Sequence, residues 1–133
     1  MENHYSQKRI LYVDDDLQSR LLVKHLIGKF YDLTICSTAE EALRILESGK
    51  FNLILLDIRL EGEMTGIELL SKIRRMPEHE NTPAIAITAF AFEEDKEYIL
   101  SSGFTDYIAK PISLNAFKDM IRNYIENQKA IPC

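Results

Sequence analysis

Short apolar runs and longer amphipathic stretches alternate five times along the chain. The runs Ile10–Val13, Leu33–Cys36, Phe51–Leu56 and Ala84–Ile87 are aliphatic and bounded by polar residues. That is the pattern of strands buried on both faces of a parallel sheet. A shorter segment, Asp106–Ala109, makes a fifth strand. Helical periodicity fills the intervals. From Leu17 to about Lys29 the apolar positions are Leu17, Leu21, Leu22, Leu26 and Ile27, and Asp16 can cap the start. Thr38-Ala39-Glu40-Glu41 reads as a capping box, opening a helix that buries Ala42, Leu43, Ile45 and Leu46 and stops at Gly49. Thr65-Gly66-Ile67-Glu68 repeats the box, for a helix running to about Met76 just ahead of Pro77. Glu93–Ser101 is a more polar helix ended by Gly103. Ser113 can cap the last helix, where Leu114, Phe117, Met120, Ile121, Tyr124 and Ile125 recur at helical spacing.

Five strand–helix units imply an α/β fold, a doubly wound five-stranded parallel sheet with helices on both faces, because each parallel crossover is right-handed. The expected strand order is 2-1-3-4-5. No repeat, linker or low-complexity stretch interrupts the pattern. The expected organisation is therefore an N-terminal extension over residues 1–7, one domain over 8–128 and a tail over 129–133. The chain ends about where the fifth helix ends, so no output or catalytic domain is expected behind it. With 46% hydrophobic and 28% charged residues in 133, the composition is that of an ordinary globular domain. A net charge of −5 argues against a nucleic-acid surface, which wants a basic face. No stretch approaches the ~20 apolar residues of a membrane span, and the N-terminus lacks an apolar signal core, so a cytoplasmic location is expected. Cys36 lies inside a strand and Cys133 is the last residue; they show no metal spacing and read as a reduced core thiol and a tail thiol. His4, His25 and His79 show no metal spacing either, and His25 reads as a surface residue of the first helix.

Chemistry concentrates where strands end. Asp14, Asp15 and Asp16 directly follow the first strand, and Asp57 ends the third. In an open parallel sheet the carboxyl ends of the strands share one edge, and ligands bind there. Carboxylates converging on that edge raise each other's pKa unless positive charge sits between them. A hard divalent cation such as Mg²⁺, held by carboxylates and phosphate oxygens, answers that need. Asp16 is accounted for by helix capping, which does not explain why three aspartates are needed.

Three further strand-end features complete a pattern: Thr88-Ala89 after the fourth strand, Tyr107 on the fifth, and Lys110-Pro111 just past it. In this order, over roughly Lys8 to Gln128, the chain resembles the receiver domain of two-component response regulators, a flavodoxin-like fold. The resemblance implies a phosphoacceptor module rather than an enzyme, one that assists only its own phosphorylation and dephosphorylation. Asp57 would accept a phosphoryl group from a phosphohistidine as an acyl phosphate. Asp15 would touch Mg²⁺ directly and Asp14 partly through water, with the Arg59 carbonyl completing the protein ligands. Lys110 would neutralise phosphoryl oxygens, aimed into the cleft by a cis Lys110–Pro111 peptide. Thr88 and Tyr107 would form the switch, the hydroxyl moving toward the phosphoryl group and the ring turning inward. The implied partners are a sensor histidine kinase or a histidine phosphotransfer protein. The fourth helix, fifth strand and fifth helix would form a partner face, supplied with Phe90, Phe92, Tyr98, Ile99 and Phe104, that also allows a homodimer. The chain would be a free-standing relay protein or a receiver excised from a longer regulator or hybrid kinase.

Other classes fit the residues less well. An Mg²⁺-dependent phosphatase wants a second acid in an Asp-x-Asp arrangement, which Asp57-Ile58-Arg59 lacks. A flavin carrier wants a Gly/Ser/Thr-rich loop after the first strand, where this chain has aspartates. A phosphorylation-incompetent docking module would have no use for the intact acid and lysine set. The loop after Asp57 does depart from the family pattern: it is one residue longer than usual, lacks the proline often found four residues on, and places Arg59 where many receivers have a small or neutral polar residue. Arg59 and the bulky Phe90 are expected to set a phosphoryl lifetime unlike that of receivers with short polar residues there. Dephosphorylation of Arg59→Asn and Phe90→Glu proteins checks this, and unchanged rates in both remove the idea.

Overall fold

The structure is a computed structural model that describes residues 8–60, 64–89 and 93–130. His4, Phe90, Phe92 and Cys133 lie outside the described residues, as do all of the expected N-terminal extension and residues 131–133 of the expected tail. Five strands, β1 (Arg9–Val13), β2 (Asp32–Cys36), β3 (Leu53–Asp57), β4 (Ala84–Thr88) and β5 (Asp106–Ala109), alternate with five helices. These are α1 (Leu17–Ile27), α2 (Ala39–Ser48), α3 (Gly66–Arg74), α4 (Glu93–Ser101) and α5 (Leu114–Ala130). The sheet is parallel throughout in the order β2-β1-β3-β4-β5. Fold class and strand order are those the sequence implies.

Side chains alternate between the faces of each strand, so the core divides into two layers. Leu11, Val13, Ile54, Leu56, Ala84 and Ala86 face α2, α3 and α4, represented by Leu46, Leu70 and Ile99. Ile10, Tyr12, Leu53, Leu55, Ile85 and Ile87 face α1 and α5, represented by Leu26 and Phe117. Strands β3 and β4 are buried along their whole length, which explains their unbroken apolar runs.

Several local expectations need correction. In α1 the buried residues are Val23, Leu26 and Ile27, whereas Leu17, Leu21 and Leu22 are exposed. A helix lying on a sheet buries one stripe, and in α1 that stripe is Val23, Leu26 and Ile27. In α2, Ala39, Ala42 and Leu46 are fully buried while Leu43 and Ile45 are only half-buried. α3 stops at Arg74, two residues before Met76, and the chain then makes a single 3-10 turn over Pro77–His79. Phe51 precedes β3 rather than opening it; its ring lies under the Arg9 guanidinium, 4.3 Å away. His79 is fully buried between the Thr82 hydroxyl at 3.1 Å and the Gly49 carbonyl at 3.4 Å.

Caps fix where the helices start. Asp16 accepts from the Ser19 amide at 3.1 Å. Thr65 and Glu68 close a full capping box, each side chain accepting from the other's backbone N–H. In the α2 box Thr38 accepts from the Glu41 amide, but the Glu41 carboxylate accepts from the Ser37 amide, one residue earlier than a reciprocal box requires. Because the Thr65 box opens the helix that packs against the Asp57 loop, Thr65→Ala should cost about 1 kcal/mol of stability, read as a lower urea midpoint at unchanged slope.

Candidate functional site

Strand register alone brings the site together. Val13 pairs with Leu56, so Asp14 emerges beside Asp57. Asp57 pairs with Ile87 and Thr88 with Ala109, which sets Thr88 one step beyond Asp57 and Lys110 one step beyond Ala109. The Lys110 amide then donates to the Thr88 carbonyl at 2.8 Å, extending the ladder to the lysine itself. Alternation sorts these residues by face. Asp14, Asp57 and Lys110 continue the series Tyr12, Leu55 and Ile108 on the α1–α5 side. Thr88 continues Ala84 and Ala86 on the other side, where Tyr107 packs.

The charges meet at one point. Lys110 Nζ lies 3.0 Å from Asp14 Oδ2 and 3.3 Å from Asp57 Oδ2. Asp14 is wholly inaccessible to solvent and Asp57 nearly so. Asp14, Asp15 and Asp57 each offer an oxygen, all within 4.8 Å of one another. Three carboxylates around an open sheet edge form a hard oxygen donor set, the kind that suits Mg²⁺ or a similar divalent cation. The Lys110–Pro111 peptide is cis.

The loop beyond Asp57 is held just as closely. Asp57 Oδ1 accepts from the Arg59 amide at 3.0 Å, and the Gly66 amide donates to the Ile58 carbonyl at 2.9 Å. At Gly66 a Cβ would collide with the Asp57 carbonyl, so the start of α3 can approach the loop after Asp57 this closely only as glycine. The Arg59 side chain is exposed and lines a shallow cleft with Ile58, Ile67, Thr88, Asp95, Tyr98 and Ile99. Of the aromatic and apolar residues expected on the partner face, Tyr98 is exposed, whereas Ile99 and Phe104 belong to the core. Tyr107 is half-buried, with the Lys96 ammonium 5.5 Å from its ring centre. Cys36 is a buried free thiol pushed up to about 12 by its apolar surroundings, and His25 is exposed.

Two residues missed in the sequence bear on Asp14. The Arg20 guanidinium donates to its backbone carbonyl at 2.9 Å, and the Tyr12 hydroxyl donates to its Oδ2 at 2.6 Å. Tyr12 was legible in principle: a polar tip two residues before a strand-end carboxylate lies on the same face. Burial, with the Asp14 bond and charge, lifts the phenol far above its ordinary value and keeps it a donor.

Fold and site together define a doubly wound α/β domain with an acidic cleft and a single lysine at the carboxyl edge of its sheet. Residues 10–122 match the model of the response regulator receiver domain, and the chain belongs to that family, the phosphoacceptor modules of two-component signalling. It is 38% identical over 120 residues to a 14.6 kDa protein of Leptolyngbya boryana, covering 90% of this chain and 91% of that one. It is 34% identical to the polar-differentiation response regulator DivK of Brucella anthropi, covering 89% and 96%. Among solved structures, the receiver domain of a Pseudomonas aeruginosa sensor histidine kinase, described with magnesium coordinated in its active site cleft, superposes with a TM-score of 0.82 at 27% identity, covering 91% and 99%. Other relatives are far longer. The chain spans 28% of a cyclic di-GMP phosphodiesterase of Vibrio cholerae and 12% of the Escherichia coli histidine kinase BarA. Among the described residues no helix is long and apolar enough to cross a membrane.

Burial pushes the Asp57 carboxyl up to about 6; the Arg59 amide opposes this, the Asp14 charge adds to it and Lys110 opposes it. A carboxyl that binds its proton more tightly when folded costs the fold stability once ionised. The metal-free protein should therefore lose stability as pH rises from roughly 4 to 6. Asp57→Asn should remove that loss and stabilise the metal-free protein by roughly 1–2 kcal/mol at pH 7. Urea melts in EDTA across this range check it; a variant no more stable than wild type at pH 7 would contradict it.

Proposed function

We propose that Asp57 takes a phosphoryl group from a phosphohistidine and that the acyl phosphate changes the domain's affinity for a downstream partner. The observation that carries this reading is the single ammonium of Lys110 shared between Asp14 and Asp57, with Asp15 beside them. In the transfer, an Asp57 oxygen attacks phosphorus, the phosphorus–nitrogen bond breaks, and its electron pair leaves with the donor imidazole. Little covalent help is needed; positioning and charge neutralisation are. Lys110 follows the developing charge on the phosphoryl oxygens, and the Arg59 amide orients Asp57. Asp14, Asp15, Asp57 and the Arg59 carbonyl would hold Mg²⁺, which supplies further positive charge to those oxygens. The Thr88 hydroxyl donates to a phosphoryl oxygen and Tyr107, on the same face, follows it inward.

The domain assists only its own phosphorylation and dephosphorylation. The donor is a sensor histidine kinase or a histidine phosphotransfer protein, a reading supported by the likeness to BarA. The face made by α4, β5 and α5 meets the downstream partner or a second copy. Neither nucleic acid nor membrane is a partner, in keeping with the net charge of −5, and the protein works in the cytoplasm. The test is incubation with acetyl phosphate, with and without Mg²⁺, followed by intact-mass measurement. Wild type should gain one phosphoryl group only with Mg²⁺, and Asp57→Ala none. Labelling that survives in Asp57→Ala overturns the assignment.

A further inference from the structure

β1 carries a phenol in the middle of the core. Tyr12 is wholly buried, packed between α1 and α5 among Ile10, Leu53, Leu55 and Phe117. An aliphatic residue would satisfy that packing. A buried hydroxyl without a partner costs free energy, so its bond to Asp14 Oδ2 is what makes it tolerable. At 2.6 Å the bond has the length of a charge-assisted one.

The contacts of Asp14 show what the phenol does. Its amide donates to the Cys36 carbonyl at 3.1 Å, and its own carbonyl accepts from Arg20, so the backbone is fixed on both sides. Oδ1 accepts from the Asp16 amide at 2.9 Å. Oδ2 takes both Tyr12 and Lys110. A carboxylate has about four lone-pair sites. Among the described residues these contacts hold the carboxylate at both of its oxygens. Lys110 is flexible and must follow the phosphoryl oxygens when Asp57 is modified. The phenol, anchored in the core, cannot leave.

We infer that Tyr12 is a positioning residue of this site: its hydroxyl pins the Asp14 carboxylate in the orientation from which it meets a divalent cation. The inference rests on the Mg²⁺ reading above and adds a residue outside the acid, threonine and lysine set. Groups that orient metal ligands typically matter 10–100-fold in metal affinity.

The test is calorimetric titration of Mg²⁺ into wild type, Tyr12→Phe and Tyr124→Phe, with acetyl phosphate labelling rates measured across the same Mg²⁺ range. Tyr124→Phe is the control, since it removes a comparable phenol–carboxylate bond, 2.8 Å to Asp106, at the opposite end of β5. Tyr12→Phe deletes one buried oxygen and keeps the ring, and circular dichroism with a urea melt verifies its fold. The Mg²⁺ dissociation constant should rise about tenfold or more in Tyr12→Phe and stay put in Tyr124→Phe. The labelling rate at saturating Mg²⁺ should remain within about twofold of wild type, because the defect lies in holding the cation. Equal Mg²⁺ affinity in Tyr12→Phe and wild type overturns the inference, as does an equal shift in the control or a lower plateau rate at unchanged Mg²⁺ affinity. Wild type that binds no Mg²⁺ sinks the functional reading itself, a different result from wild type that binds while Tyr12→Phe binds equally well.

Discussion

Two buried carboxylates share one ammonium at the edge of this sheet, and much of the molecule follows from that imbalance. A single buried ion pair would draw its carboxyl down and its ammonium up. Here both proton affinities rise. Burial lifts Asp57, aided by the Asp14 charge. Burial depresses Lys110, but the Asp14 bond and both carboxylate charges outweigh it and leave the ammonium above its usual range. Asp14 and Asp57 together set two carboxylates against the one ammonium of Lys110, even before Asp15 is counted. The site as folded is short of positive charge, and a divalent cation relieves it. On the proposed function, phosphorylation of Asp57 would bring further negative oxygens to the same place, where Lys110 could turn toward them.

The sheet makes this cluster possible and also isolates it. Parallel register sets Asp14 beside Asp57 and extends the β4–β5 ladder to Lys110, so no long loop has to find the right conformation. Alternation sends the charges to one face and Thr88 with Tyr107 to the other. An event at Asp57 can thus reach the α4 side through the strand ends, where the bond between the Lys110 amide and the Thr88 carbonyl is one link, and through Arg59, which lines the cleft beside α4. Tyr107 sits diagonally from Thr88 across the β4–β5 ladder, with Lys96 over its ring. Side chains there can rearrange while the sheet stays fixed, the discrete kind of change that packed cores allow.

The fold was legible because its strands are buried on both faces, and such strands leave unbroken apolar runs that few other elements produce. The site was legible because its acids and lysine stand directly at the ends of those runs. Helix α1 shows where that reading fails. Its apolar residues outnumber what one buried stripe can hold, and nothing in the pattern says that Leu17, Leu21 and Leu22 face solvent. His79 was equally hidden, since its burial depends on Gly49, 30 positions away in the chain. Periodicity reports which face an element buries; it carries no information about where that face runs out of a neighbour.

Tyr12 belongs to a third category, a residue whose role was encoded locally and masked by its class. In an apolar run a tyrosine counts as hydrophobic, and its ring does behave so here, filling the layer under α1 and α5. Its oxygen obeys a different rule: a buried donor needs an acceptor. Strand alternation names the acceptor without coordinates, because the next side chain on that face is Asp14. Adding up hydrogen-bond capacity along each strand face, alongside hydrophobicity, would have linked the phenol to the carboxylate from the sequence alone. The same sum shows how the buried Asp14 carboxylate is held in place. The core side supplies a donor that does not move, the backbone supplies Asp16, and the lysine is left free to change partners.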